Sequence, residues 1–183
     1  MISVINTIRH HDYGLFLDLY RLNHSNYFWS EFFYFFARYG ILIVILSMVY
    51  LIWNKRINAL ICTLFAAFFA SVVDVLIYLT WNRPRPFITH ADITATIDRM
   101  RIDASSFPSS HTYVAFAFAT SVYLYGHKKL GTALYVIAIC IALSRIANGL
   151  HYPSDVLGGA LLGVASGIIA YIIVQKSEKN WNQ

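Results

Sequence analysis

Three short polar clusters interrupt an otherwise apolar chain, and each carries residue types suited to handling a phosphate group. They are Arg83-Pro84-Arg85-Pro86, Pro108-Ser109-Ser110-His111, and Ser144-Arg145 followed after five residues by His151 and after three more by Asp155. Arg85 and Arg145 carry planar, permanently charged guanidinium forks that match phosphate oxygens. Ser109 and Ser110 stand where a helix should begin, so their hydroxyls and the first-turn N–H groups can face an anion. His111 and His151 come from different helix ends and can approach one phosphorus atom from different sides. His151 precedes Pro153, which suits the first position of a helix. Asp155 then falls in the first turn, within reach of one imidazole nitrogen. That contact would fix the tautomer and leave the other nitrogen for attack, with His111 as the acid for the departing oxygen. The chemistry this points to is phosphoryl transfer without a metal.

Each cluster alone has a plainer explanation. Arg-Pro-Arg-Pro reads as a loop boundary with interfacial charge, Pro-Ser-Ser-His as an ordinary helix start with a serine N-cap, and Asp155 as an acid complementing a helix dipole. Arg145 is harder to dismiss, because a charge at the end of a membrane span needs a partner or water. Together the clusters read as one site.

The elements that must position them are helices in a membrane. Of 183 residues, 58% are hydrophobic and 13% charged, far from the roughly 45–50% and about 25% of a soluble domain. Residues Phe32–Trp53, Ile57–Trp81, Leu130–Asn148 and Val156–Val174 are apolar runs of spanning length, which takes about 20 residues. Thr112–Gly126 is shorter and reads as a fifth span by its company. Met1–Asn26 mixes apolar and charged residues as an amphipathic helix lying in the interface does, and lacks the pattern of a signal peptide. Trp29, Tyr50, Trp53, Tyr78 and Trp81 sit near segment ends, as aromatic anchors do. The expected fold is all-α: a single domain over residues 1–183, with about five transmembrane spans and an N-terminal interfacial helix. Cys62 and Cys140 fall inside spans and read as packing residues.

Every lysine (Lys55, Lys128, Lys129, Lys176, Lys179) lies in one set of loops and tails, joined by Arg56. Basic short loops favour the cytoplasmic side, which places the C-terminus inside. The Asn82–Ser110 loop, the Gly149–Pro153 turn and all three clusters then lie outside, despite Arg83, Arg85, Arg99, Arg101 and Arg145. The net charge of +5 is thereby a matter of topology, with no nucleic-acid partner implied.

The three clusters resemble the type 2 phosphatidic acid phosphatase superfamily. Its pattern is a Lys, six residues, Arg-Pro; then Pro-Ser-Gly-His; then Ser-Arg, five residues, His, three residues, Asp. Ser144, Arg145, His151 and Asp155 match the third motif in full; Pro108, Ser109 and His111 match the second; Arg85 and Pro86 match the first. The resemblance implies a phosphohistidine formed on His151, oriented by Asp155, with His111 first as acid and then as activator of water. It also implies phosphate binding by Arg85, Ser109, Ser110 and Arg145, and no cofactor or divalent metal. Tyr78 stands at the family's Lys position and Ser110 at its Gly.

Those departures and the short chain look like the bacterial undecaprenyl-diphosphatase branch associated with bacitracin resistance. The resemblance implies an inner-membrane enzyme of cell-wall carrier recycling, with a polyprenyl phosphate substrate and an outward-facing site. His90 and the Asp92–Asp103 stretch are candidates for a second phosphate, although a lone loop histidine is commonly just solvated. Phosphatidylglycerol phosphate, phosphatidic acid and lipid A phosphates are alternative substrates of the same chemistry. An anion transporter or channel is the non-enzymatic alternative, opposed by the gathering of polar groups at one interface rather than mid-membrane. Asp74 is the exception, expected to serve helix packing or to support the site from behind.

Overall fold

A computed structural model describes residues 2–95 and 105–181. The elements in chain order are α1 (Ile2–Asn23), α2 (Tyr27–Trp53), α3 (Ile57–Thr80), α4 (Pro86–Thr89), α5 (Ser110–Leu124), α6 (Lys128–Ala147) and α7 (Pro153–Trp181). The Arg99 and Arg101 charges and most of the Asp92–Asp103 stretch lie outside the described residues.

Among the described residues, four helices, α2, α3, α6 and α7, are long and apolar enough to cross a membrane. Their outward faces are greasy: Leu46, Val49 and Ile52 on α2, Phe68, Val75 and Leu79 on α3, and Leu157, Leu161 and Ile172 on α7 are all exposed. Exposed apolar surface on this scale belongs against lipid, and the chain is a multi-pass membrane protein. The fifth expected span, α5, has only 15 residues. It packs against α3, α6 and α7 and is the centre of the bundle. Protein rather than lipid surrounds it, which is why it can carry Thr112, Thr120 and Ser121, all buried.

Close approach of α7 to α5 depends on glycines at four-residue spacing, the small-residue pattern of membrane helix pairs. A Cβ on Gly159 would lie 2.8 Å from the Ser109 carbonyl oxygen, and one on Gly163 would lie 2.4 Å from that of Tyr113. Gly163→Ala is therefore expected to lower stability by about 1–3 kcal/mol, the usual cost of overpacking. Gly14→Ala, where a Cβ meets nothing within 4 Å, should not. Thermal unfolding in detergent distinguishes the two.

The N-terminal helix is more than a surface float. Its inner stripe of Asp12, Phe16 and Asn23 is buried. Phe16 packs with Ile93, Ala142, Ile146, Tyr152 and Val156, and the Asn23 amide donates to the Ala147 carbonyl at 3.0 Å. At one end of the bundle α3 finishes while α5 and α7 begin and α6 ends. At the other, Lys55, Arg56, His127 and Glu178 line a common cavity of 350 Å³, so the lysine-bearing turns converge away from the three clusters.

Candidate active site

His151 sits in the five-residue connection between α6 and α7 and is 2% exposed. Its Nδ1 lies 2.7 Å from the backbone carbonyl oxygen of Ser106. A carbonyl only accepts, so Nδ1 carries the hydrogen and Nε2 keeps its lone pair. Asp155 was expected to make this contact directly. Its Oδ2 instead stands 3.8 Å from Nδ1, longer than a hydrogen bond. Asp155, fully buried, acts on the frame around the ring: Oδ2 accepts from the Ser106 hydroxyl at 2.5 Å and the Tyr152 N–H at 2.8 Å.

Burial drives the His151 pKa down to about 4; Asp155 opposes the shift, while Arg145 and Arg85 reinforce it. The ring is therefore neutral at physiological pH, with a lone pair on Nε2. If His151 is the attacking group, kcat/KM should hold as pH falls from 7 and decline only near pH 4, not near the usual 6.5, because this parameter reports the free enzyme. The folded state resists protonating this ring, so the linked stability is complete above about 6.5 and erodes as pH falls toward 4. A pH series of initial rates, with unfolding followed in parallel, checks both.

The imidazole opens onto a cavity of 190 Å³ whose wall also includes Arg85, Ser110, Tyr113, Tyr78 and Asp74. Water occupies about 30 Å³ per molecule, so the space accommodates a phosphate group. Arg85 is set by α4: it holds the N-cap position with Pro86 as the first helical residue, and its carbonyl accepts from the N–H groups of Ile88 and Thr89 at 3.0 and 3.2 Å. This single turn was hidden inside what the sequence presented as loop.

The remaining expected residues lie at the start of α5 and the end of α6. Ser109 occupies the N-cap position of α5, but its side chain caps no N–H. Its hydroxyl instead accepts from Thr112 at 3.0 Å, and its N–H donates to the Asp155 carbonyl at 3.1 Å. Arg145, nearly buried, closes the last turn of α6. His111 is the second residue of α5, beside cavity-lining Ser110. Tyr78 places a phenol in the wall at the position where the resemblance has a lysine.

Ser106 escaped the sequence, while Asp74 and Arg83, which the sequence had marked, gain defined surroundings. Ser106 supports His151 through its carbonyl, a group that every residue type possesses. Asp74 faces the same cavity as His151 and accepts from the Tyr113 hydroxyl at 3.2 Å; its isolation in an apolar span was the available signal. Arg83 sends Nη1 to Asp155 Oδ1 at 2.6 Å and Nη2 to Asp12 Oδ2 at 2.8 Å. His90 is not simply solvated, since its ring stacks on Tyr13 at 4.1 Å.

Residues 59–179 match the PAP2 superfamily. The chain is 32% identical over 150 residues to the bacitracin transport permease protein BcrC of Bacillus licheniformis, covering 82% of this chain and 70% of the relative. It is 30% identical over 163 residues to the undecaprenyl-diphosphatase BcrC of Bacillus subtilis strain 168, covering 87% and 82%. Its fold is similar to the crystal structure of Aquifex aeolicus LpxE, with a TM-score of 0.69, 28% identity, and 84% and 93% of the two chains covered.

Proposed function

We propose, from the premise that this chain belongs to the PAP2 superfamily and is a phosphatase, that it removes the terminal phosphate of undecaprenyl diphosphate through a phosphohistidine on His151. The observation that carries the reading is a neutral, Nδ1-anchored imidazole opening onto the cavity that holds Arg85 and Ser110. Nε2 attacks phosphorus; Arg85, Arg145 and the start of α5 take up charge on the equatorial oxygens, where positioning and electrostatics do most of the catalysis. His111 protonates the departing lipid phosphate, then deprotonates the water that releases phosphate from the ring. Likeness over more than four-fifths of both chains to a protein named undecaprenyl-diphosphatase supports this substrate over other lipid phosphates. The lysine distribution supports a site on the outer side and a cytoplasmic C-terminus.

A transport role, suggested by the other relative's name, has less support, because the polar groups collect at one end of the bundle. The deciding experiment is phosphate release by purified protein in chelator. Substrates are undecaprenyl diphosphate, phosphatidylglycerol phosphate, phosphatidic acid and a lipid A phosphate. Undecaprenyl diphosphate is expected to give the highest kcat/KM. A clear preference for another lipid overturns the substrate, and absence of release from all of them overturns the reaction.

A further inference from the structure

Arg83 is two residues from Arg85, yet it is not among the residues that line the cavity around His151. It lines a neighbouring cavity of 540 Å³ with His10, Tyr13, Thr89, His90 and Tyr152. What it holds is more telling. The ring of His151 rests on the Ser106 carbonyl, and Ser106 is itself fixed twice. Its N–H donates to the Arg83 carbonyl at 2.7 Å, and its hydroxyl donates to Asp155 Oδ2 at 2.5 Å. The other oxygen of Asp155 accepts from Arg83 Nη1 at 2.6 Å. Arg83 thus grips both supports of the imidazole, one with its backbone and one with its guanidinium.

Arg83 is aimed in turn from the far side. Asp12 of α1 accepts from its Nη2 at 2.8 Å, and the Tyr152 ring lies 4.2 Å beneath its guanidinium carbon. Asp12 is locked by the Ser154 N–H at 2.8 Å and the Ser154 hydroxyl at 2.5 Å. Both carboxylates are buried, and buried charges persist only where they are paired and hydrogen-bonded. The pairing here runs from α1, across the polar loop, to the first turn of α7.

We propose that Arg83 and Asp12 are positioning residues for His151, which makes α1 part of the catalytic apparatus. This rests on His151 being the nucleophile. Charges acting on the ring come from Arg145 on α6, Arg85 before α4 and Asp155 on α7, while Asp74 on α3 lines the same cavity and His111 belongs to the first turn of α5. Removing the Arg83 charge leaves the Asp155 carboxylate uncompensated beside the imidazole and favours its protonated form. A residue that merely braces the fold would lower stability without moving that titration, and a phosphate ligand would weaken anion binding.

The test uses full-length protein in detergent as wild type, Arg83→Gln, Arg83→Lys and Asp12→Asn. Measured are kcat and KM on a lipid phosphate, inhibition by inorganic phosphate, thermal unfolding, and the His151 titration midpoint by NMR without substrate. Arg83→Gln should lower kcat about tenfold or more, with KM and phosphate inhibition within about twofold. Its His151 midpoint should rise by about half a pH unit or more, and Arg83→Lys should recover most of both effects. Asp12→Asn keeps the shape of the contact and should lose kcat about threefold or more at unchanged KM. It carries the test if Arg83→Gln does not fold, and unchanged kcat there sinks the proposal. An unmoved midpoint in folded Arg83→Gln also overturns it, as does weaker phosphate inhibition with kcat preserved. If the wild type hydrolyses no lipid phosphate, the phosphatase reading fails, while the NMR midpoint still decides whether Arg83 sets the state of His151.

Discussion

His151→Ala is expected to slow phosphate release at least about 10⁴-fold, since loss of a nucleophile leaves only binding and electrostatic stabilisation. Truncation also strands the Ser106 carbonyl, which otherwise receives the Nδ1 hydrogen, and an unsatisfied buried acceptor costs about 1–3 kcal/mol. Lost folding could therefore imitate lost chemistry. His151→Asn separates them, because its amide can still donate toward Ser106 but offers no nucleophilic nitrogen. Both variants should be equally inactive, with His151→Asn the more stable. Measurable turnover by His151→Asn, above a hundredth of wild type, would exclude attack by this ring. Phosphate-release assays and unfolding midpoints on the same preparations supply both numbers.

The second large effect is expected at Arg85. It is nearly buried, shares the cavity with His151, and is held in place by α4. Arg85→Ala should lower kcat/KM about 10²–10³-fold, the range seen when one fixed donor to a developing charge is removed. Arg85→Lys should recover only part of that, because an ammonium is a point charge without the two-pronged geometry. There is a second signature. Arg85 helps depress the His151 pKa, so its removal should move the acid limb of kcat/KM upward from about pH 4. Unchanged kcat/KM in Arg85→Ala would remove it from the phosphate cradle. Initial rates across pH give both readings.

Much of the fold was legible because its signals are local. Apolar runs of spanning length marked α2, α3, α6 and α7 to within a few residues, except that α2 begins at Tyr27 and α7 extends to Trp181. Thr112–Gly126 was placed correctly but for an incomplete reason: its polar residues are tolerated because other helices enclose it, a tertiary fact. Amphipathicity in α1 announced an apolar face without saying whether lipid or protein would meet it; Phe16 and Asp12 show that protein does. Of the candidate site residues, Arg85, Ser110 and His151, picked out by motif spacing, line one cavity. The division of labour between Arg83 and Arg85 was not legible, since two arginines separated by one proline look equivalent in a string of letters. Only the fold reveals that one meets carboxylates and the other the cavity. The partnership of Asp12 with Arg83 spans 71 positions and leaves no periodicity to detect.

The brevity of α5 has a consequence for depth. Fifteen residues make a helix about 22 Å long, about 8 Å less than a typical hydrocarbon layer. One end turns directly into α6 at the lysine-rich boundary, so the shortfall falls at the other, where Ser110 and His111 begin. With the site as proposed, the reacting phosphorus would have to descend below the plane at which headgroups normally rest, drawn in by arginine and released from bulk water. A phosphate tethered to a long hydrocarbon chain can sink that far because the chain is already anchored beneath it. A freely soluble ester has no such ballast, so on this reading immersion itself would discriminate before any contact with the headgroup does.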